Sequence, residues 1–264
     1  MTFYDFEYDN YCLSELGYIT CIFGSEGLQT TNSGANITFN TVSMLNGAKH
    51  ELTSTIYDGC LEATFQICKN NCDSGDFEIS VEELRMLSRW LNRKGFHKFK
   101  ILSDEYTDIY FEASFNISKI EMNGKIYGLE LEMKTNRPFA LQEPRVVFIN
   151  NLVADGEHIV VDSSDEEGYI YPDVEITINE SGSLSIYNEI EDRVTFIANC
   201  VAGEIIKMNY PIIESSIPNH KIQNDFNWNF LRIANTFKEN ANRLTVSLPC
   251  TIKLTYSPIV KVGV

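Results

Sequence analysis

The chain has no apolar run approaching the ~20 residues that cross a bilayer as a helix. Its opening residues, MTFYDFEYDNYCL, are broken by acids where a secretory leader needs a continuous apolar core. Both absences point to a protein made in a reducing cytoplasm and kept there or released by lysis. Reactive motifs are missing as well. There is no Gly-x-Ser-x-Gly elbow and no Gly-x-x-x-x-Gly-Lys loop, so neither the strained serine turn of a hydrolase nor the phosphate cradle of a P-loop enzyme is expected. Gly24-Ser25-Glu26-Gly27 reads as a plain loop. The seven cysteines are odd in number and dispersed, with only Cys68 and Cys72 close together. A structural zinc wants four ligands, usually as two close pairs. No second Cys or His pair follows, and His97 and His220 stand alone. Free, mostly buried thiols are expected, with no metal and no cofactor.

Positive charge is scarce. Lys and Arg total 21 against 37 Asp and Glu, for a net charge of −16. Apart from residues 89–100 the basic side chains are scattered, and tight nucleic-acid binding needs them clustered. Acidity of this size favours solubility, and it would also keep a nucleic acid from sticking to a conduit wall. The run DSSDEE at residues 162–167 has the composition of a calcium loop. It lacks the alternating ligands, central Gly and twelfth-position Glu of an EF-hand; Gly168 comes too late and no helix flanks the run. It reads as a solvated loop, as do Asp104-Glu105 and residues 189–192. A glycosidase needs two opposed carboxylates, and no local pattern marks such a pair. The chain is therefore not expected to be an enzyme.

With 264 residues, 44% of them hydrophobic, the chain can fill one large domain or two ordinary ones. Residues 169–186, YIYPDVEITINESGSLSI, set the pattern for the second half. Val174, Ile176 and Ile178 alternate with Asp173, Glu175 and Thr177, and Leu184 and Ile186 resume after Gly182, which reads as an antiparallel hairpin with one wet face. The first half also carries strand signals. Leu61, Ala63, Phe65 and Ile67 alternate with Glu62, Thr64 and Gln66, and Asn46-Gly47 and Asn123-Gly124 mark tight turns between strands.

One helix is predicted over residues 80–94. Ser80 and Glu83 form a capping box, Val81, Leu84, Leu87 and Leu91 with Trp90 make an apolar stripe, Arg89, Arg93 and Lys94 suit the negative end of the helix dipole, and Gly95 suits the left-handed position after it. The stripe is expected to be core, with packing of Trp90 on a neighbouring subunit as the other use. TNRPFALQEP, residues 135–144, breaks the pattern. The expectation is an α+β domain over 1–142 and an all-β sandwich over 143–264, with short strands at 146–149, 157–161, 174–178, 184–187, 193–198, 205–208, 230–233, 243–248 and 251–256.

The order of these pieces resembles the distal tail protein (Dit) family of phages and phage-like tail particles. The likeness is carried by the aromatic start, Leu16-Gly17-Tyr18, the capped helix with Arg89-Trp90-Leu91, and the hairpin ending in Arg137-Pro138. In the second half it rests on Tyr171-Pro172-Asp173-Val174, Val201-Ala202-Gly203-Glu204, Asn227-Trp228-Asn229-Phe230 and Asn242-Arg243-Leu244-Thr245-Val246. Ala241-Asn242 departs from it, since a Gly-Asn turn would fit better there, and so do the many cysteines. The resemblance implies a hexameric ring formed by N-terminal domains beneath the tail tube and above the tail tip. It also implies a galectin-like jelly-roll C-terminal domain facing outward to hold baseplate or receptor-binding proteins, and a lumen passing DNA or only the tape-measure protein. Its implied partners are further copies of the chain, the tail tube protein, and tail-tip, lysin or baseplate proteins; its implied place is the virion tail, assembled in the host cytoplasm, with no membrane insertion.

Two functions follow for testing. The first is a structural tail hub, with the turns at Asn46, Gly47, Asn123 and Gly124 as candidate ring contacts, because exposed strands clasp neighbours. The second is a carbohydrate-binding module that stacks a cell-surface glycan on Trp228. Against the second, alternation puts Trp228 on one face with Phe226 and Phe230, and such a face is ordinarily core.

Overall fold

A computed structural model describes residues 4–24, 34–70 and 77–262. Phe3, Cys72 and most of the Gly24-Ser25-Glu26-Gly27 loop lie outside them. The chain divides into two compact units: one up to Leu141 together with the segment from Val260 onward, the other Gln142–Ile259. Unit 1 begins with β1 (Phe6–Tyr8), β2 (Tyr11–Cys12), β3 (Tyr18–Cys21), β4 (Ile37–Met44), β5 (Lys49–Tyr57) and β6 (Glu62–Lys69), continues through helix α1 (Val81–Leu91), and then adds β7 (His97–Ile101), β8 (Ile109–Met122), β9 (Lys125–Thr135) and β10 (Ala140–Gln142). Unit 2 opens with β11 (Arg145–Asn151), β12 (Gly156–Val161), β13 (Gly168–Ile170), β14 (Asp173–Ile178), β15 (Gly182–Asn188) and β16 (Arg193–Cys200). It goes on with β17 (Ile205–Asn209), β18 (Ile212–Ser215), the one-turn helix α2 (Ile222–Asp225), β19 (Ile233–Asn235), β20 (Ala241–Val246) and β21 (Cys250–Tyr256); the last strand, β22 (Ile259–Val260), pairs with β10 in the sheet of unit 1.

In unit 1 the strands pair in the order β2-β1-β7-β8-β9-β6-β3. The aromatic opening explains how the sheet holds its helix. Phe6 and Tyr8 point inward from β1 while Glu7 does not. The Phe6 ring lies 5.4 Å from Phe99, 5.6 Å from Phe65 and 5.8 Å from Trp90, centroid to centroid. Contacts of this kind add roughly 0.5–1.5 kcal/mol each beyond their area. The Trp90 indole N–H donates to Tyr8 O at 2.9 Å, so the buried donor is satisfied and α1 is tied to β1.

The capping box forms as expected. Glu83 N–H donates to Ser80 Oγ at 3.2 Å and Ser80 N–H to Glu83 Oε2 at 2.7 Å. The helix is shorter than predicted at its other end, stopping at Leu91. Arg93 lies beyond it, with Nη2 2.9 Å from Asp9 Oδ2 and its guanidinium 5.4 Å above the Tyr8 ring. Gly95, at φ 88°, turns the chain into β7 instead of closing the helix. The apolar stripe is buried at Leu87, Trp90 and Leu91, whereas Val81 is 78% exposed.

Unit 2 consists of a five-stranded sheet, β11-β21-β14-β17-β18, a four-stranded sheet, β12-β20-β15-β16, and the pair β13-β19. Ile176, Ile206 and Ile252 from the first sheet share one core with Leu184, Ile186, Leu244 and Val246 from the second. Residues 169–186 are not a hairpin. Val174, Ile176 and Ile178 are buried, as the alternation requires. However, β14 pairs with β17 and β21, while β15 pairs with β16 and β20 in the other sheet. The turn at 179–181 carries the chain from one sheet to the other, so both strands feed the core from opposite sides.

Other expectations change for related reasons. Asn242 sits inside β20, not in a turn, and is fully buried. Its Oδ1 accepts from Ala234 N–H at 2.8 Å and Asn188 Nδ2 at 2.9 Å, and its Nδ2 donates to Ala234 O at 3.0 Å. The strand expected at 230–233 begins only at Ile233, and β13 and β18 went unpredicted. In residues 162–167, Asp162 and Ser164 are buried, with Ser164 Oγ donating to Asp162 Oδ1 at 2.8 Å; only part of that run is a solvated loop. Of the described cysteines, Cys200 and Cys250 are buried, while Cys12, Cys21, Cys60 and Cys68 are half-buried, less enclosed than expected.

Candidate functional site

The most unusual feature of unit 1 is a hairpin arm. β4 and β5 pair with each other and with no other described strand. The arm is rooted at Ala35, which packs on the unit 1 core. Its turn, Leu45–Gly47, needs positive φ at three successive residues, Leu45 at 52°, Asn46 at 53° and Gly47 at 90°; Asn and Gly adopt this readily. Asn40 pairs with Ser54 and Thr41 with Leu52, leaving Thr53 as a bulge. From that register, Ile37, Phe39, Leu52 and Tyr57 share one face, while Val42, Met44 and Ile56 share the other. Phe39 is 64% exposed, and Leu45 at the tip 75%. Residues 37–57 hold one Lys and one Glu as their only full charges, in a chain that is 22% charged. A two-stranded hairpin is marginal alone, and this one has apolar surface on both faces and no further strand along either edge among the described residues.

Asn123-Gly124 is a different kind of tip. It closes β8 onto β9, with φ 54° and 77°, a two-residue turn of the type that matches strand twist. It belongs to the main sheet and is fastened to it: Ile79 N–H donates to Ile126 O at 2.7 Å, and Lys125 pairs with Glu78 at 2.5 Å. Of the two predicted hairpin tips, only Asn46-Gly47 ends a free arm.

In unit 2, Trp228 is not core. It is 54% exposed, whereas Phe226 and Phe230 are each 4% exposed. The alternation fails because Trp228 has φ 59°, which breaks the extended backbone on which period-two reasoning depends. The residue before it explains how this conformation is held. Asn227 Oδ1 accepts from Phe196 N–H and Asn229 N–H, both at 3.1 Å, and its Nδ2 donates to Val194 O at 2.9 Å. The indole is thus presented from a fixed turn on the edge of β16. An aromatic row continues from it: Trp228 to Phe230 at 6.4 Å, Phe230 to Tyr210 at 5.3 Å, and Tyr210 stacked on Tyr171 at 4.1 Å.

A buried polar group also lies in unit 2, unmarked by any local motif. Glu204 is fully buried. It accepts from Ser215 Oγ at 2.5 Å and Val201 N–H at 2.9 Å, and lies 2.5 Å from His220 Nδ1. Burial alone would raise its carboxyl; these hydrogen bonds outweigh that and hold it below the usual carboxylate range. Ser215 donates to the carboxylate and not to an imidazole, so it is not an activated nucleophile. The group fastens the crossover that leads to α2 and Trp228. Among the described residues, no three His, Cys, Asp or Glu side chains converge as a metal site.

Fold and surface together define a two-unit, β-rich protein with one main helix, whose exposed features include an apolar arm and the Trp228 indole. Two family models match it: "Phage tail protein N-terminal domain" over residues 1–137 and "Phage tail C-terminal domain" over residues 139–256. The chain belongs to this phage tail protein family and is a component of the phage tail. No curated protein matches it. Among solved structures it is similar to the Dit protein of SPP1, described as a paradigm of the hub adsorption apparatus in phages infecting Gram-positive bacteria. That match has 10% identity and a TM-score of 0.62, and covers 97% of this chain and 99% of the other. At that identity the likeness speaks for the fold.

Proposed function

We propose that the chain is a structural, non-catalytic distal tail hub subunit. In this reading six copies close into a ring through unit 1, which joins the tail tube to the tail tip or baseplate, and unit 2, a galectin-like jelly roll, serves as an attachment platform. The observation that carries it is the β4-β5 arm. Apolar on both faces and nearly uncharged, the arm gains stability only when a second copy covers it. A cyclic ring is built from heterologous contacts, and an arm reaching a neighbour is such a contact. Obligate interfaces of this kind bury about 2,000 Å² or more. The partners are further copies, then the tail tube protein and tail-tip, lysin or receptor-binding proteins.

The test is solution mass by light scattering across a range of concentrations. Mass near six subunits, or a stacked pair of rings, supports the hub. A monomer at every concentration, alone and with the tail tube protein present, overturns it.

The exposure of Trp228 favours a second reading, in which unit 2 stacks a cell-surface glycan. Binding of the full chain to a glycan array, abolished in Trp228→Ala, would support it. An array signal that is absent or unchanged in the variant removes it.

A further inference from the structure

Beside α1 lies a cleft of about 270 Å³ lined by Tyr11, Leu16, Met86, Arg89, Trp90 and Arg93. Met86, Arg89, Trp90 and Arg93 fall at i, i+3, i+4 and i+7, one continuous side of the helix and its exit. Tyr11 on β2 and Leu16 on the following turn form the opposite wall. Tyr11 is 57% and Met86 41% exposed, so the apolar lining is open to an incoming side chain. Arg85 adds a further cation one turn before Arg89.

The charges here run against the rest of the molecule. In a chain of net charge −16, Arg85, Arg89 and Arg93 follow one another at four-residue spacing. Arg85 and Arg89 both lie within α1, and like charges at that spacing destabilise a helix by a few tenths of a kcal/mol. The helix dipole offsets part of that near the C-terminal end. Arg93 is matched by Asp9; Arg85 and Arg89 form no ion pair among the described residues. An open apolar cleft edged by unmatched guanidinium groups is complementary to a carboxylate-bearing segment with a bulky apolar side chain.

We propose that this cleft is a docking site for an acidic segment of a partner protein, anchored by one large apolar residue between Tyr11, Met86 and Trp90 and held at its flanks by Arg85 and Arg89. The arm is not its occupant, because residues 37–57 carry no excess of acids. The proposal therefore does not rest on the arm. A nucleic acid would satisfy the arginines but leave the apolar walls without an anchor.

The test uses the full chain and a fluorescein-labelled peptide, Asp-Glu-Leu-Phe-Glu-Asp, followed by anisotropy. Saturable binding that weakens with added salt is expected. It should fall about tenfold or more in the double variant Arg85→Glu/Arg89→Glu and in Met86→Glu, and to a similar extent when Leu-Phe in the peptide becomes Gly-Gly. Circular dichroism and an unchanged unfolding midpoint establish that the variants are folded, and their exposed positions favour this. The proposal is overturned by four results: no binding to the parent chain, equal binding by the variants, equal binding of the Gly-Gly peptide, or tighter binding of a labelled single-stranded oligonucleotide. Loss of assembled mass in the arginine variant would assign the cleft to a second copy, which overturns the partner and leaves the hub reading standing.

Discussion

Phe39→Glu separates assembly from folding. In the single chain Phe39 is 64% exposed on an arm whose strands, among the described residues, pair only with each other, so its replacement removes little from the fold of one subunit. Surface changes of that kind stay within about 0.5 kcal/mol. Covered by a neighbour, the ring has more to lose. Full burial of a Phe is worth roughly 1.5–3 kcal/mol, of which the exposed fraction leaves roughly 1–2 kcal/mol for the interface. A carboxylate in the same covered place adds at least about 2 kcal/mol of desolvation. The sum is roughly 3–4 kcal/mol per interface, or at least about a hundredfold in dissociation constant. Each copy in a ring both gives and receives an arm, so every interface suffers. Light scattering should show the variant disassembled at concentrations where the parent is assembled, with thermal unfolding of the subunit nearly unchanged. A mass-concentration curve identical to the parent's refutes the arm as a clasp. A drop of several degrees in unfolding temperature would show that the arm packs within its own chain.

Four further perturbations bear on the fold. Ser80→Ala removes the side-chain acceptor of the Glu83 N–H, leaving only the backbone half of the capping box, and should destabilise unit 1 by about 0.5–2 kcal/mol in denaturant unfolding. Asn242→Leu leaves the Ala234 N–H and Asn188 Nδ2 without their acceptor and should cost roughly 2–4 kcal/mol by the same measurement. Gly128→Ala would place a methyl 2.8 Å from the Ile67 carbonyl oxygen, which is backbone, and 2.3 Å from the Phe23 ring; a loss of about 1–3 kcal/mol is expected. Glu204 is held below its ordinary value of 4.5 in the folded protein, so its contribution is complete above that value and disappears as pH falls through the lower folded value. Urea midpoints of the parent and Glu204→Gln should therefore differ at neutral pH and converge in acid; a gap independent of pH would refute this role.

What could be read from the sequence was local. Ser80 and Glu83 are three residues apart, and the capping box they signal formed. Asn123-Gly124 is a two-residue turn between adjacent strands, and it formed. Strand pairing is not local. The alternation in 169–186 states which side of each strand is dry, and β14 and β15 obey it, but it carries no information on which strand lies alongside. A three-residue turn serves a crossover between sheets as well as a hairpin. Trp228 was misplaced because period-two counting assumes an extended backbone, and one residue at φ 59° resets the phase. The available signal was Asn227 and Asn229 on either side, since Asn side chains bond to nearby backbone and stabilise such turns. The association of Glu204 with Ser215 and His220 had no such signal: they are separated by β17 and β18 and meet only once those strands pair.

The arm shows how a failure of alternation can itself be informative. Ile37, Phe39 and Leu52 fall on one face and Val42, Met44 and Ile56 on the other, so neither side of the hairpin is polar enough to be left permanently in water. A strand in the middle of a sandwich with this composition would be covered on both faces by its own chain. Here β4 and β5 are long, exposed and, among the described residues, bonded only to each other, which is the observation behind the proposal that a neighbouring subunit covers them. Charge points the same way. Copies of net charge −16 repel one another, and contact between them costs least through the segment with almost no charge. In the proposed ring, apolar side chains on both faces are what a segment covered by a neighbouring copy requires.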